Sequence, residues 1–569
     1  MHTRNFLVIL IAPLFLLGSF QRAPLAEPGP EVLYNQVGYI NRAPKLLLVR
    51  ADLESVVFRD ASGKEALRVT PGLAAEWGFS GTRVRRVDFS SLVIPGKYTL
   101  ELPGGKTGPV ITIMDKPYHK LVRSALKAFY LSRLGMSIEE NFAGQWARPS
   151  AHPDTVVYIH PSAAGPKRKA GDSISSPWGW YDAGDYNKYI VNSAISVYTL
   201  FRAYEDFPEF YRKLNLHIPE SGKGLPDILD EALYNYRWML TMQDPDDGGV
   251  YHKLTNKVFD KIIMPEKARE PRYVVMKTTA ASLDYAAVAA HASVLLRAYG
   301  KEYPGLAEES LGRAEKAWQW AQRHPEIYYV QPGDIRTGAY GDKKLNDEWF
   351  WAAAELYLAT GKPVYAEALR QYYQKPQTPE WAIVHGLGCM SLLAAYDQLD
   401  ASVKATGLRE DFLALADSLV DRAERSPFAV SIRQFRWGSN SYIANEAMVK
   451  LFTYNRVPEA KYYRSALWDL DYLLGRNATG YCFVTGYGEK RVMHIHHRPS
   501  MADGIAEPWP GFLAGGPNMD TFADCPTDKT RPRMPATSFL DADCSYSTNE
   551  VAINWNAPLV YLAGGMDRY

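Results

Sequence analysis

The chain has 569 residues, of which 47% are hydrophobic and 22% charged, and its 64 basic and 63 acidic residues leave a net charge of +1 at pH 7. This balance gives no indication of a nucleic-acid-binding surface or a polybasic membrane-binding face, so we expect no nucleic-acid partner. The aromatic fraction, 13%, is high. Aromatic residues at this density are typical both of large packed cores and of clefts that stack sugar rings.

The N-terminus has the features of a signal peptide. Arg4 precedes a largely apolar run of 15 residues, Phe6 to Phe20, which is shorter than the about 20 residues that a transmembrane helix needs. We therefore predict a signal peptide over residues 1–26 and a mature protein that is secreted or periplasmic. No comparable apolar run follows, so we expect no membrane span in the mature chain, and we expect a monomer.

The four cysteines form no CxxC pair, which argues against zinc ribbons and thioredoxin-type redox motifs. Cys525 and Cys544 flank a loop-rich segment, and in an exported protein this spacing predicts a disulfide. Cys389 lies in an apolar helical pattern and is predicted to be a buried thiol.

Two regions with different periodicity follow the N-terminus. Short β-rich segments separated by turn residues occupy residues 31–115 and predict a small β-sandwich of immunoglobulin type that packs on the next domain. Residues 117–569 show helical periodicity with little strand signal. Roughly a dozen helices, many of them apolar most of the way round, predict a closed ring of helical hairpins, an (α/α) toroid. The fold is therefore expected to be mostly α.

Two carboxylates stand close together in the aromatic-rich stretch WGWYDAGDYNKYI, residues 178–190. Asp182 and Asp185 are separated by only two residues, and Gly184 is expected to let the backbone turn so that both project from one loop. Carboxylates ringed by aromatic faces suit a sugar, whose hydroxyls need acceptors. The alternative is a capped helix start, because Asp and Gly favour such turns whatever the function.

Two further polar groups lie near the C-terminus. Glu550 follows a polar loop and precedes an apolar helical run, where a carboxylate can also serve only to favour the helix dipole. The stretch TGYGEKRVMHIHHRPS places His494, His496, His497 and Arg498 close together. Three interpretations stay open for it: a zinc site without an obvious complete ligand set, hydrogen-bond donors for sugar hydroxyls or a carboxylate, and an exposed basic loop.

Three separated blocks of the sequence resemble glycoside hydrolase family 9, in the subgroup with an N-terminal immunoglobulin-like domain. WYDAGDYNKYI resembles the family's DAGD block, and GYGEKRVMHIHHRPS resembles its histidine signature. FLDADCSYSTNEVAINWNA fits its acidic signature, whose positions are Phe539, Asp541, Tyr546, Glu550, Ala552, Asn556 and Ala557. The resemblance spans about residues 31 to 569 and implies an (α/α)6 barrel after the β-sandwich.

The resemblance also implies roles for the residues in these blocks. Asp185 would be the general base that activates water, and Asp182 would hold that water and keep the base ionised. Glu550 would be the general acid, which needs a raised pKa. His496 and Arg498 would contact sugar hydroxyls, with Tyr546 as a further candidate in the same pocket or as a core residue.

Sugar platforms and structural carboxylates complete the candidate residues. The tryptophans that are candidates for either a platform or the core are Trp146, Trp178, Trp349, Trp437 and Trp509. Trp437, in FRWGSNS, is the preferred platform because it looks most like a loop residue. Helical spacing indicates that the carboxylates of LPDILDEA are capping or structural groups, namely Asp227, Asp230 and Glu231.

Together these features predict an inverting endo-β-1,4-glucanase that hydrolyses cellulose-type or related β-glucans. An exo-acting β-glucosidase or exo-β-glucosaminidase of the same family is the main alternative, and a non-catalytic glycan-binding protein is another. No carbohydrate-binding module or dockerin follows Tyr569 in this sequence, so soluble or amorphous glucan is expected rather than crystalline cellulose. No metal or cofactor is expected to be required, although the resemblance allows a structural calcium ion.

Overall fold

The computed structural model describes residues 31–525 and 529–568. The predicted signal peptide, residues 1–26, lies outside the described residues. The first described region is a two-layered β-structure, and a helical region follows from residue 119 onward.

The N-terminal region is a β-sandwich, as the strand spacing predicts. One sheet has the strand order β1-β3-β7-β6 and the other has the order β2-β9-β8-β4-β5. Alternate residues of the strands face a shared apolar core that includes Leu47, Phe58 and Phe89. The strands are β1 (Val32–Leu33), β2 (Tyr39–Ile40), β3 (Leu46–Arg50), β4 (Val56–Arg59), β5 (Glu65–Val69), β6 (Ala75–Trp77), β7 (Thr82–Asp88), β8 (Gly96–Leu102) and β9 (Lys106–Met114).

The sandwich packs firmly on the helical region. Trp77 is buried with its ring centroid 4.5 Å from that of Phe428, and it also contacts Phe435 and Tyr472. Arg86 donates hydrogen bonds to main-chain carbonyls between residues 423 and 427. An aromatic contact reinforced by hydrogen bonds holds the two regions in one orientation.

Twelve of the described helices form two concentric layers. The inner helices are buried nearly all round, whereas the outer helices are amphipathic and expose one face. The inner layer consists of α3 (Ile190–Asp206), α6 (Thr279–Leu295), α8 (Asn346–Thr360), α10 (His385–Ala394), α13 (Ser439–Tyr454) and α17 (Ile553–Asp567). The outer layer consists of α1 (His119–Leu131), α5 (Asp227–Thr241), α7 (Leu306–Arg323), α9 (Pro363–Tyr372), α12 (Leu408–Arg425) and α14 (Ala460–Leu473).

The packing of these layers confirms the predicted (α/α)6 barrel. In the inner layer α3 packs on α6, α6 on α8 and α8 on α10, and α17 packs on both α13 and α3. The remaining α-helices are short connectors, namely α2 (Glu140–Ala143), α4 (Pro208–Lys213), α11 (Ala401–Lys404), α15 (Arg498–Ala502) and α16 (Tyr546–Asn549).

A small sheet inside the helical region is absent from the sequence-based expectation. Its order is β11-β10-β14-β13-β12. The strands are β10 (Val157–Ile159), β11 (Ser173–Ile174), β12 (Lys188–Tyr189), β13 (Lys253–Thr255) and β14 (Tyr273–Val274). Strands of two or three residues are too short to show an alternating pattern. This sheet supports the loop that carries Asp182 and Asp185, because β12 leads directly from that loop into α3.

Two further expectations concern the cysteines and membrane helices. Cys525 and Cys544 form a disulfide with a Cα–Cα distance of 5.2 Å, and the Cys389 thiol is buried, both as predicted. The segment Thr279–Tyr299 is long and apolar enough to cross a membrane, but 94% of its most apolar window is buried inside the protein. Its apolar character therefore fits the barrel core.

Candidate functional site

The candidate site is a cavity of about 800 Å³ at one end of the barrel. Loops that precede the inner helices supply its walls, so the N-terminal ends of these helices point toward it. Representative lining residues are Asp182 before α3, Phe259 before α6, Tyr340 before α8, Trp381 before α10, Trp437 before α13 and Glu550 before α17. Helix N-termini favour negative charge, which suits a site rich in carboxylates.

The cavity brings together all seven residues proposed from the sequence as catalytic or substrate-binding. They are Asp182, Asp185, Trp437, His496, Arg498, Tyr546 and Glu550. Main-chain hydrogen bonds join the three sequence blocks that carry most of them. The Ile553 amide donates to the Asp182 carbonyl at 2.9 Å, and the His496 amide donates to the Asn549 carbonyl at 3.0 Å. The backbone thereby fixes Glu550 relative to the aspartate loop.

Gly184 is required for a reason that differs from the sequence-based one. Its backbone is not in the left-handed region that favours glycine. Instead, a Cβ atom at this position would lie 2.2 Å from the carbonyl oxygen of His496. The aspartate loop and the histidine segment therefore approach more closely than any side chain would permit.

Asp182 is buried and held by two donors. Asn192 donates from Nδ2 to Oδ1 at 2.7 Å, and the Tyr340 hydroxyl donates to Oδ2 at 2.7 Å. Burial and the neighbouring Asp185 raise the pKa of Asp182 to about 8, although both hydrogen bonds oppose this shift. Where two carboxylates share one site, the carboxylate with the raised pKa carries the proton.

Asp185 has one engaged and one available oxygen. Its Oδ2 accepts hydrogen bonds from Asn187 at 2.6 Å and from the Tyr189 hydroxyl at 3.0 Å. Its Oδ1 accepts none from the described residues. This asymmetry fixes the carboxylate and leaves one oxygen to accept a hydrogen bond from a water molecule in the cavity.

Glu550 faces the same cavity from the start of α17. Burial of the carboxyl, together with the charges of Asp185 and Asp182, raises its pKa to about 8, and Arg498 opposes the shift. A carboxyl with this pKa is protonated at neutral pH and is able to donate a proton. The site thus contains Glu550, which is able to donate a proton, and Asp185, which has one oxygen available to accept a hydrogen bond.

His496 and Arg498 line the cavity but also have structural contacts. Arg498 donates from its backbone amide and from Nη1 to the Gly184 carbonyl, at 3.2 and 2.6 Å, and from Nε to the Asp260 carbonyl at 2.8 Å. His496 has its Nδ1 3.2 Å from the Asp543 carbonyl oxygen. Arg498 therefore holds the aspartate loop in place, and contact of both residues with sugar hydroxyls stays a prediction.

The remaining histidines of this segment lie elsewhere. His494 is exposed and lies 3.6 Å from Asp543, and His497 is buried against Trp509 and Phe512. Within residues 31–525 and 529–568, no three His, Cys, Asp or Glu side chains are grouped so as to hold a metal ion. Structural calcium stays a prediction of the resemblance.

Aromatic rings form one wall of the cavity. Tyr546 lies between His496 and Trp437, at centroid distances of 5.8 and 5.3 Å, and 39% of the Trp437 surface is exposed. This exposure fits the predicted sugar platform. Trp381, in the loop before α10, and Trp555, in the first turn of α17, also line the cavity. Sequence analysis missed both, because periodicity does not mark a single tryptophan as a cleft residue.

The other four candidate tryptophans do not line this cavity. Trp349 and Trp509 are buried in the core, and Trp146 is partly buried against it. Trp178 is 38% exposed at another place on the surface. The structure therefore does not support a sugar platform at any of these four positions. The sequence could not separate them from Trp437, because tryptophan occurs both in cores and in sugar-binding clefts.

The acidic side chains of α5 have the structural roles expected from the sequence. Asp227 accepts hydrogen bonds from the Leu216 amide and from Ser221, and Glu231 forms a buried ion pair with Arg133. Asp230 accepts a hydrogen bond from the Tyr303 hydroxyl at 3.3 Å. All three lie outside the cavity lining.

Tyr340 and Asn192 are the functional-site residues that sequence reasoning missed most clearly. Asn192 lies in the first turn of α3 and could have been found, because its helical spacing places it beside the aspartate loop. Tyr340 is 158 residues from Asp182, and nothing in its own sequence context marks it.

Comparison with known proteins decides the family. The sequence model described as "Glycosyl hydrolase family 9" matches residues 118–563, and the one described as "Cellulase N-terminal ig-like domain" matches residues 27–107. The chain belongs to glycosyl hydrolase family 9. It is thus a glycoside hydrolase, and the predicted family and domain types are confirmed.

Relatives of this family 9 enzyme match along almost its whole length. It is 42% identical over 560 residues to "Xyloglucan-specific endo-beta-1,4-glucanase BoGH9A" of Bacteroides ovatus, covering 95% of this chain and 94% of that protein. It is 32% identical to a "Cellulose 1,4-beta-cellobiosidase" of Acetivibrio thermocellus, covering 95% and 67%. The solved structure "Bacteroides ovatus GH9" matches with a TM-score of 0.89 and 41% identity, covering 95% and 99%.

Proposed function

We propose that this family 9 enzyme is an inverting endo-β-1,4-glucanase, with Asp185 as general base and Glu550 as general acid. The observation that carries the proposal is the pairing of two unlike carboxyl groups in one cavity. Glu550 has a raised pKa, and Asp185 has one engaged and one available oxygen. The similarity to a xyloglucan-specific endo-β-1,4-glucanase supports a β-1,4-glucan backbone as the substrate.

The hydrolysis would proceed by a single displacement. Glu550 donates its proton to the glycosidic oxygen while Asp185 removes a proton from the attacking water. Asp182 carries a proton near neutral pH, since its pKa is raised to about 8, so it does not compete with Asp185 for the role of base. Water adds to the face of the sugar opposite the leaving group, so no covalent intermediate forms and the anomeric configuration inverts.

The catalytic assignment is tested by Glu550→Gln, which keeps the shape and removes the acid. We expect loss of hydrolysis with oligosaccharide binding, measured by calorimetry, close to that of the wild type. Asp185→Asn should lower kcat by about 10²- to 10⁴-fold, the range typical of acid–base groups. Full activity of the Glu550→Gln variant would refute the assignment.

Endo action and polymer preference are tested by viscosity and early products. We expect a rapid fall in the viscosity of xyloglucan or carboxymethylcellulose, and mixed oligosaccharides from cellohexaose. Similarity to the cellobiosidase of A. thermocellus favours exo action as the second candidate. Release of one short product at unchanged viscosity would establish that candidate.

We also propose that the protein is exported. The apolar run from Phe6 to Phe20 supports this, as does the disulfide between Cys525 and Cys544, since such bonds persist in oxidising compartments. Mass spectrometry of the protein recovered outside the cytoplasm should give an N-terminus near residue 27. An intact N-terminus on a cytoplasmic protein would refute this proposal.

A further inference from the structure

Lys253 of β13 is a buried amine beside the proposed catalytic aspartates. The residue is fully buried, and its Nζ donates to Gln331 Oε1 at 3.2 Å, Thr337 Oγ1 at 3.0 Å and the Gly338 carbonyl at 2.6 Å. Among the described residues, no carboxylate lies within salt-bridge distance of it. Burial of an ammonium group without an ion-pair partner is costly, so its retention here calls for a reason beyond packing.

The first connection of Lys253 runs to Asp185. Lys253 is directly opposite Tyr189 in the antiparallel pair β12–β13, so both side chains lie on the same face of the sheet. Its Nζ lies 5.6 Å from the centre of the Tyr189 ring, and the hydroxyl of that ring donates to Asp185 at 3.0 Å. The ammonium group therefore packs against the residue that orients Asp185.

The second connection runs to Asp182. By binding Thr337 and the Gly338 carbonyl, Lys253 fixes the segment that leads to Tyr340, whose hydroxyl donates to Asp182. The rings of Tyr189 and Tyr340 are themselves 4.7 Å apart. One amine thus supports the hydrogen-bond donors of both aspartates.

The ionisable groups around Lys253 make its charge relevant to the site. Tyr189 of β12 and Tyr329, after α7, flank Nζ with their rings, and His252 lies immediately before β13. Burial lowers the pKa of Lys253 to about 7, and the charge of Asp185 opposes the shift. His252 is neutral near pH 7, because burial lowers its pKa to about 3. Below pH 7 Lys253 therefore carries a positive charge that acts on Asp185 from this side.

We propose that Lys253 is a positioning residue of the hydrolytic site, which fixes Tyr189 and Tyr340 and places a positive charge beside the general base. The inference rests on the proposed role of Asp185 as general base. A nearby positive charge opposes protonation of a general base, so its loss is expected to move the acidic limb of the kcat/KM profile to higher pH.

The test compares three substitutions that separate charge from hydrogen bonding. Lys253→Met removes both, Lys253→Gln keeps a donor without charge, and Lys253→Arg keeps the charge. We expect the acidic limb to move up by about one pH unit in the Met and Gln variants and to stay in place in the Arg variant. KM should stay within about twofold in the Met and Gln variants, since Lys253 does not line the cavity.

Lys188→Met is the matched control. Lys188 is equally buried on β12, but it forms a salt bridge with Asp154 at 2.7 Å. Its loss should lower the melting temperature without moving the acidic limb. An unmoved limb in both Lys253→Met and Lys253→Gln, or an equal shift in Lys188→Met, would overturn the inference. Absence of β-glucan hydrolysis by the wild type would instead refute the proposed function and with it this inference.

Discussion

Gly184 offers the sharpest test of how the site is assembled. In the Gly184→Ala variant the added Cβ would lie 2.2 Å from the His496 carbonyl oxygen, whereas real contacts of this kind are essentially never below 3.0 Å. The two backbone segments must therefore separate by at least about 0.8 Å. A shift of either segment would displace catalytic groups. Gly184 lies between Asp182 and Asp185, and the His496 amide donates a hydrogen bond to the carbonyl of Asn549, the residue before Glu550.

We expect the Gly184→Ala substitution to lower both the stability of the protein and its kcat. Overpacking of this kind costs about 1–3 kcal/mol. A displacement approaching 1 Å at the reacting groups lowers the rate by about 10²-fold. We therefore expect a moderate fall in melting temperature and a fall in kcat of about 10²-fold, with the larger effect on catalysis.

Initial rates on cellohexaose and scanning calorimetry measure the two parts separately. Gly312→Ala is the control, because Gly312 lies in α7 and a Cβ atom added there would meet no other atom within 4 Å. Alanine there should leave kcat unchanged and stabilise the helix by up to about 1 kcal/mol. A Gly184→Ala variant with wild-type kcat and melting temperature would refute the close-contact explanation.

Three further predictions concern the site and the domain interface. The basic limb of the kcat/KM profile should lie near pH 8, because activity needs protonated Glu550 and is lost as the pH rises through its raised pKa. A basic limb below pH 6 would contradict this prediction. Tyr340→Phe removes the donor to Asp182 and should lower kcat about tenfold with little change in melting temperature, which steady-state kinetics and calorimetry check. Trp77→Ala should destabilise the protein by about 3–5 kcal/mol in chemical unfolding while the remaining folded enzyme keeps its kcat, and an unchanged unfolding midpoint would count against the interface.

Local signals in the sequence were sufficient for the fold class, and the family resemblance marked the carboxylates that the structure brings into one cavity. Strand spacing and helical periodicity report which side chains are buried, so the β-sandwich and the barrel were predictable. Asp182, Asp185 and Glu550 stood in blocks that resemble family 9. Their meeting in one cavity follows from the barrel, since the loops before its inner helices converge at one end.

Only the tertiary structure decided the contacts between distant loops. Tyr340 meets Asp182 across 158 residues, and Lys253 reaches both aspartates through side chains on other segments. The tertiary structure also distinguished Trp437 in the cleft from Trp349 in the core. Periodicity measures burial along one element, whereas these contacts depend on how the ring of helices closes. The sequence by itself therefore determined which segments form the inner helices and which blocks carry the acidic residues. Closure of the helical ring determined which side chains from distant loops contact those acidic residues.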